Sequence, residues 1–590
     1  MRPANQWTSD LLGDARNPDA VLSEGRDGAS TLRIGNVYLH SRYNPRDEAK
    51  RFVESLELTA ERPVVVIGLG LGYHVLEIAA RGHEVSVIEP DAAVARLALE
   101  GPMRGSTVML GIGDPERLAN DPEFAVLARK NPQWVIHPAT ARIHPVYSED
   151  VIGRLARLAL QDERLSIAIV GPMYGGSLPI ALYLQRAFEK LGHRTLFVDN
   201  STGWDLYSGI AASVSNKNVS DQLGTMATNL LGEWSYARVM EFVPDICIVL
   251  AQAPVPSNFA ERLRKEGIVT AFWFVENWRH FSYWSQVAPQ YDYFFHLQPG
   301  EFEEKLREVG CTHQAFVQTA CDPEIHRPVE LTADERREVS CDISFAGAGY
   351  RNRLRLFSGL TDYDFKIWGV NWTTRDLVKH ICRAEERFTP DFFARIAAGS
   401  RININLHSSI LHDGVDPKCD TINPRVFEIA ACGAFQVCDP CIGLDKLFDF
   451  ETEIPVYTSL AELRRKIDYY LAHPAERAEI AKRARARALR DHTYEHRARQ
   501  MLDCILADFS AAILRKGVRV QRTMSEMADR VGRETELGTY LAELSPSRLF
   551  LFEEIYRDFP PQTELKSYPE KLFAYLREMR MSNEALLRGR

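Results

Sequence analysis

Three times this chain runs from an apolar, β-branched segment through a glycine-bearing turn into a helix. Pro63-Val64-Val65-Val66-Ile67 leads into Gly68-Leu69-Gly70-Leu71-Gly72. Leu165 to Val170 leads into Gly171-Pro172-Met173-Tyr174-Gly175-Gly176-Ser177, and Cys341 to Phe345 into Ala346-Gly347-Ala348-Gly349. Apolar runs without alternation belong to strands buried on both faces, and crossover helices supply the cover. Each restart therefore predicts a separate parallel sheet. The chain should be α/β throughout: a Rossmann-like module over 1–160, two facing doubly wound domains over 161–330 and 331–510, and a helical tail over 511–590. Further strands are expected at Arg194 to Val198, Ile246 to Leu250, Val269 to Val275, Tyr293 to His296, Phe365 to Gly369 and Ile402 to His407. The stretch from about 105 to 160 reads poorly, because Pro115, Pro122, Pro132, Pro138 and Pro145 break any long element. The tail reads as amphipathic helix interrupted by Pro546 and Pro560-Pro561.

Composition excludes several classes. A 590-residue chain with 45% hydrophobic and 26% charged residues is an ordinary globular protein of several domains. Its net charge of −9 lacks the basic field that nucleic acid requires. The basic run Lys482 to Ala488 spreads its charges around a helix and reads as a solvated surface. Met1 to Trp7 lacks the apolar core of a secretion signal, and no apolar run reaches the length of a membrane span. Ten scattered cysteines suit a reducing cytoplasm. Cys419, Cys432, Cys438 and Cys441 include one C-x-x-C, but no second pair stands at zinc-finger spacing, so no metal site is expected.

Each glycine loop offers a ligand site. Gly68, Gly70 and Gly72, followed by a strand ending in Glu89, have the pattern of a nucleotide-binding turn with a ribose-binding acid. Alone, that pattern would suit a methyltransferase using S-adenosylmethionine. Gly175 and Gly176 form a second loop able to approach a phosphate or an acceptor. In the third domain Gly347 and Gly349 let the backbone close on a diphosphate that Arg351 or Arg353 would neutralise. Trp368 ends the next strand and would pack near a base, while His407 stands at the C-terminal end of another. Pro424 suits a first helical turn, and Glu428 is a carboxylate set in an apolar helix, eight residues after Asp420.

The segment Asn423-Pro424-Arg425-Val426-Phe427-Glu428-Ile429-Ala430-Ala431-Cys432-Gly433-Ala434 resembles the ribose-gripping segment of GT-B glycosyltransferases, especially the CgeB-like spore-maturation family. The likeness is nearly continuous from Ser344 to about Leu502, and Ala271 to Asn277 and Thr319 to Pro328 resemble the same family's N-terminal half. It implies a GT-B pair and transfer of sugar from a nucleoside diphosphate donor without a required metal or cofactor. Glu428 would then hold the ribose, Arg351 or Arg353 the diphosphate, and Asn423 and Arg425 the loop or a phosphate oxygen. Glu276, His280 and Asp322 are candidates for activating the acceptor. Separately, L-H-S-x-Y-N-P from Leu39, G-L-G-Y-H from Gly70 and V-I-E-P-D from Val87 resemble the N-terminal region of the motility-associated-factor (Maf) proteins of flagellin glycosylation. That likeness implies a Rossmann-like module with a docking or ligand-sensing role, and an acceptor such as flagellin or another surface protein. The rival readings are a methyltransferase in the first module and a catalytically silent assembly protein. The sugar, the stereochemical outcome and the oligomeric state are not specified by these motifs.

Overall fold

The computed structural model describes residues 2–3, 6–13, 15–60, 62–160, 163–384, 386–520, 524–544, 555–556, 559 and 567–588. The chain divides into two compact units, Met1–Ala511 and Ala512–Arg590. The first unit contains three parallel sheets, one for each strand–glycine–helix restart.

The first sheet orders its strands Arg2–Pro3, Met109–Ile112, Val85–Glu89, Val64–Ile67 and Gln133–Ile136, all parallel. A three-stranded antiparallel sheet, Ala20–Glu24, Ser30–Ile34 and Val37–Tyr38, accompanies it. The region from 105 to 160 is more regular than its prolines suggest. Pro115, Pro122 and Pro138 open helices instead of breaking them. Asp114 and Asp121 cap two of these helices through the backbone amides two and three residues on. A proline at the first helical position gives up no hydrogen bond, and the preceding aspartate satisfies the free amides.

The second sheet runs Arg194–Val198, Ser166–Val170, Ile246–Leu250, Val269–Phe274, Tyr293–His296 and Gln314–Phe316. The third runs Ile381–Cys382, Phe365–Trp368, Cys341–Ala346, Ser400–Asn405 and Gln436–Cys438. Both are parallel throughout and doubly wound: the strand order turns back at the first strand of each domain, Ser166–Val170 and Cys341–Ala346. Ligands of such sheets lie beyond the carboxyl ends of the strands at that turning point. The chain passes between the two domains at 317–328 and returns at 491–497. The passages pair, with Cys321 N–H donating to His492 O and Tyr494 N–H to Cys321 O, each at 3.0 Å. This is the expected GT-B pair.

The second unit contains helices Met524–Val531, Glu536–Glu543 and Tyr568–Arg588, with Met524, Ala528, Leu541, Ile555 and Phe573 in its core. Pro546, Pro560 and Pro561 lie outside the described residues. No helix among the described residues is long and apolar enough to cross a membrane.

The glycines of the first module have a structural use. Gly68, Gly70 and Gly72 all have positive φ, and a Cβ at each would strike Thr140, His40 and Met103 respectively. Gly70→Ala meets both a left-handed backbone and the His40 ring, which would lie 2.6 Å from the new methyl. That substitution should cost about 1–3 kcal/mol in protein free of any nucleotide, read as a lower Tm and a lower denaturant midpoint.

Candidate functional site

The first glycine loop is filled by its own protein. Leu71 N–H donates to His40 Nε2 at 2.7 Å, Leu69 N–H to Glu89 Oε2 at 2.6 Å, and Gly68 N–H to Ile88 O at 2.8 Å. Glu89 also accepts from Asp91 N at 3.0 Å, so its carboxylate caps the turn from which a ribose would be read. Burial pushes that carboxyl up to about 7, and the surrounding amides oppose the shift. His74 Nε2 meets Gly68 O at 3.0 Å and its ring stacks on His137 at a centroid distance of 4.6 Å. His137 Nδ1 meets Thr140 Oγ1 at 3.1 Å. Burial holds all three imidazoles of His40, His74 and His137 below the ordinary histidine range, as neutral rings. The expectation of a nucleotide or S-adenosylmethionine at Gly68, Gly70, Gly72 and Glu89 is therefore corrected. The amides that would hold a phosphate already have partners, and His40 and Thr140 occupy the approach.

The other two loop sets meet. At the second sheet's turning point Gly175 has φ +100° and faces Gln252, with Gly176 beside it on the exposed rim. Gln252 Nε2 donates to Glu276 Oε1, and Tyr283 Oη donates to Glu276 Oε2 at 3.2 Å. Loops 251–254 and 276–283 thus meet at one carboxylate, and loop 171–176 lies against Gln252. Burial pushes the Glu276 carboxyl up to about 7, and the Tyr283 hydrogen bond works in the opposite direction. Next to it Asn277 Nδ2 crosses to Thr421 Oγ1 at 3.0 Å. Arg279 Nη1 and Gln298 Nε2 reach the two oxygens of Asp420 at 2.5 and 2.7 Å. Arg279, Gln298 and Thr421 had no assigned role in the sequence; the Asn277-Trp278-Arg279 turn directly after a buried strand was the available signal.

On the donor side the two arginines separate. Arg351 is 59% exposed and pairs with Asp413 at 2.7 Å. Arg353 is buried, with Nε and Nη2 on Leu406 O at 3.0 and 2.7 Å and Nη1 on Ala348 O at 2.9 Å. Burial brings its guanidinium down to about 10. The diphosphate role expected for Arg353 does not fit, because its planar fork is spent on carbonyls. Gly347 and Gly349 donate to Trp368 O and Val370 O, each at 2.9 Å, and a Cβ at Gly349 would strike the Asn371 carbonyl. Their smallness serves loop-on-loop packing. Trp368 is 1% exposed among Val339, Cys341, Phe392 and Ile396 and has no face free for a base. His407, also 1% exposed, gives Nδ1 to Asp439 Oδ1 at 2.7 Å and offers no surface to a donor.

Glu428 is 4% exposed. Arg425, stacked 4.2 Å from the Phe393 centroid, bonds its Oε2, and His326 Nε2 stands 3.7 Å from Oε1. Asn423 Nδ2 donates to Asn405 Oδ1 at 2.9 Å. Asp322 is buried beside His326 at the crossing between the domains, capping Glu324 N at 2.9 Å with Arg186 Nη1 at 3.4 Å, which is a structural use and not an acceptor-activating one. His280 is exposed on the turn, its amide on Asn277 O at 3.0 Å.

Residues 351–503 match the family model described as glycosyl transferase-like. Over 258 residues, 42% of this chain and 78% of the relative, it is 24% identical to the spore protein CgeB of Bacillus subtilis (strain 168). It is 43% identical over 88 residues to an uncharacterized protein of Treponema pallidum (strain Nichols); that match covers 14% of this chain and 30% of that protein's length. Among solved structures it is similar to a sucrose-phosphate synthase from Thermosynechococcus elongatus, with TM-score 0.42, 13% identity, and coverage of 59% of this chain and 100% of that one. It is also similar to Anabaena Alr3699/HepE in complex with UDP and glucose, with TM-score 0.39, 10% identity, and coverage of 58% and 99%.

The contrast between the two arginines makes a direct test. Arg351→Ala should weaken sugar-nucleotide binding about tenfold in isothermal titration while leaving the Tm unchanged, as expected for loss of one charge-assisted contact. Arg353→Lys should instead lower the Tm, since a lysine cannot replace the fork to two carbonyls.

Proposed function

We propose that this chain transfers a sugar from a nucleoside diphosphate sugar to an acceptor held across the cleft between residues 161–330 and 331–510. The observation that carries the reading is the seam itself. Two doubly wound domains, one of them glycosyl transferase-like, bring their ligand-facing loops together at Asn277–Thr421 and Arg279–Asp420. In this reading Glu276 is the carboxylate of one wall, and Arg351 and Arg425, paired here with Asp413 and Glu428, supply the cations of the other.

In this reading an acceptor hydroxyl gives its proton to Glu276 as its oxygen bonds the anomeric carbon. The bond from that carbon to the phosphate oxygen breaks, and the electron pair leaves on the diphosphate. Arg351 and Arg425 offset its charge. Glu428 meets the ribose once Arg425 turns from it to the diphosphate. Asn423 fixes the loop through Asn405. Cations do the work that a divalent ion performs elsewhere, so turnover should proceed in buffer without Mg²⁺ or Mn²⁺ and gain nothing from either. A strict requirement for one of these ions would remove the arginines from that role.

The first 160 residues are assigned to acceptor docking, on the strength of the Maf-like motifs and of a glycine loop that packs against the protein's own His40, Thr140 and Met103. Flagellin or another surface protein is the acceptor class this suggests, met in the cytoplasm. The four-part division of the chain belongs to the same proposal.

A pH profile tests the base. Glu276 must be ionised to accept a proton, so kcat/KM should rise as pH passes about 7, the value to which burial lifts its carboxyl. Tyr283 donates to the charged form and favours it, so Tyr283→Phe should move the rising limb to higher pH. An unmoved limb excludes Glu276 as the base. Absence of both donor hydrolysis and transfer in folded protein supplied with a panel of sugar nucleotides would favour a silent assembly role.

A further inference from the structure

Beneath the loop that crosses the cleft lies a group of side chains for which sugar transfer has no use. Cys419 immediately precedes Asp420, and Cys441 follows the strand Gln436–Cys438. Their Sγ atoms are 3.3 Å apart. His407, at the end of the strand Ser400–Asn405, brings a ring nitrogen to them, and the three ligand atoms lie within 4.8 Å of one another. His407 and Cys441 are buried, and Cys419 is partly so.

The imidazole is already oriented as a ligand would be. Nδ1 stands 2.7 Å from Asp439 Oδ1, an oxygen that also accepts the His407 amide at 2.8 Å. Nε2 is buried with no hydrogen-bond partner, and so is Asp439 Oδ2. Buried polar atoms in folded proteins are satisfied, and an orphan calls for an explanation. A histidine that hands one nitrogen to a carboxylate and keeps the other for an ion is the usual outer-shell arrangement of a zinc ligand. Two soft sulfurs and an imidazole select Zn²⁺ over the oxygen-seeking Mg²⁺ or Ca²⁺.

We propose that His407, Cys419 and Cys441 bind a structural zinc ion, with Asp439 orienting the histidine. Binding forms two Zn–S bonds and one Zn–N bond, and the two thiol protons pass to solvent. The fourth position falls to a water or to Cys438, which would add a third Zn–S bond and release a third proton; Cys438 already groups with His407 and Asp439 within the same 4.8 Å limit. The ion fastens the long loop 406–424 to the sheet edge at 438–441, reinforcing the Ile442 N–H to Cys419 O hydrogen bond of 2.8 Å. It lies one residue from Asp420 and two from Thr421, which cross to Arg279, Gln298 and Asn277. The zinc thus sets the position of the cleft loop without touching a substrate, and it is independent of which group the site transfers.

The full chain should carry one zinc per molecule by elemental analysis. Cys419→Ser and Cys441→Ser should lose it while retaining the far-ultraviolet circular dichroism of the parent. Cys438→Ser should lose it only if that thiol is the fourth ligand. Cobalt(II) added to chelator-stripped parent protein should give the thiolate charge-transfer bands and the intense visible bands of a tetrahedral sulfur-containing site. The cobalt spectrum decides the matter even where a serine variant fails to fold. A metal-free parent whose thiols alkylate freely and which shows no cobalt spectrum overturns the proposal. So does a Cys419–Cys441 disulfide, seen as a linked peptide two hydrogens lighter than its separate parts.

Discussion

The buried guanidinium of Arg353 holds the donor side together. Its hydrogen bonds go to the carbonyls of Leu406 and Ala348, with the rings of Phe345 and Tyr350 about it. A charge can be buried in this way only when nearly every N–H finds an acceptor. Asn352 works beside it, giving Nδ2 to His407 O at 2.7 Å and taking the Ser409 amide on Oδ1 at 3.1 Å. Two adjacent side chains in one helical turn thereby fix the glycine loop on one side and the start of loop 406–424 on the other. Everything placed by that loop, Asp420 and Thr421 included, inherits its position from them.

Arg351 and Arg353 show what was legible in the sequence and what was not. The strand–loop–helix frame of all three sheets could be read, because continuous apolar runs and glycine turns are local signals. The fate of each charge depends on which face of the helix it occupies and what lies opposite. Residues two apart on a helix point to different sides, so one of the pair had to face inward. Nothing local says that carbonyls of a strand end some fifty residues on would meet it. Trp368 and His407 mislead for the same reason: a strand's C-terminal end is a good address for a ligand residue, but alternation sends half of its side chains into the core. Cys419 and Cys441 come together only because strand Gln436–Cys438 is laid beside Ser400–Asn405.

Glycine is the other ambiguous letter. A G-x-G-x-G turn after a strand permits close approach, but the sequence does not say of what. Here the approaching groups are His40, Thr140 and Met103, drawn from three distant segments. The same sterics that let a cofactor near the backbone let a side chain near it. Once His40 accepts the Leu71 amide and Glu89 the Leu69 amide, the loop's capacity for an anion is exhausted. Asp114-Pro115 and Asp121-Pro122 mislead in the other direction: the prolines read as breaks, yet each opens a helix that the preceding aspartate caps.

The paired passages between the second and third domains explain where the remaining charges went. Cys321 lies against His492 and Tyr494, so the two connections form one short ladder between the domains. Asp322 follows it directly and caps the next turn. His326, whose Nδ1 accepts the Asp322 amide at 3.0 Å, presents its other nitrogen to Glu428. Glu428 is thus wired to the crossing through His326 and to the helix face through Arg425. A ligand that drew Arg425 away would leave the Glu428 carboxylate facing His326 alone. In the proposed enzyme the residue that would grip the ribose therefore lies in one buried cluster with His326, just along the chain from the Cys321 pairing that joins the two domains.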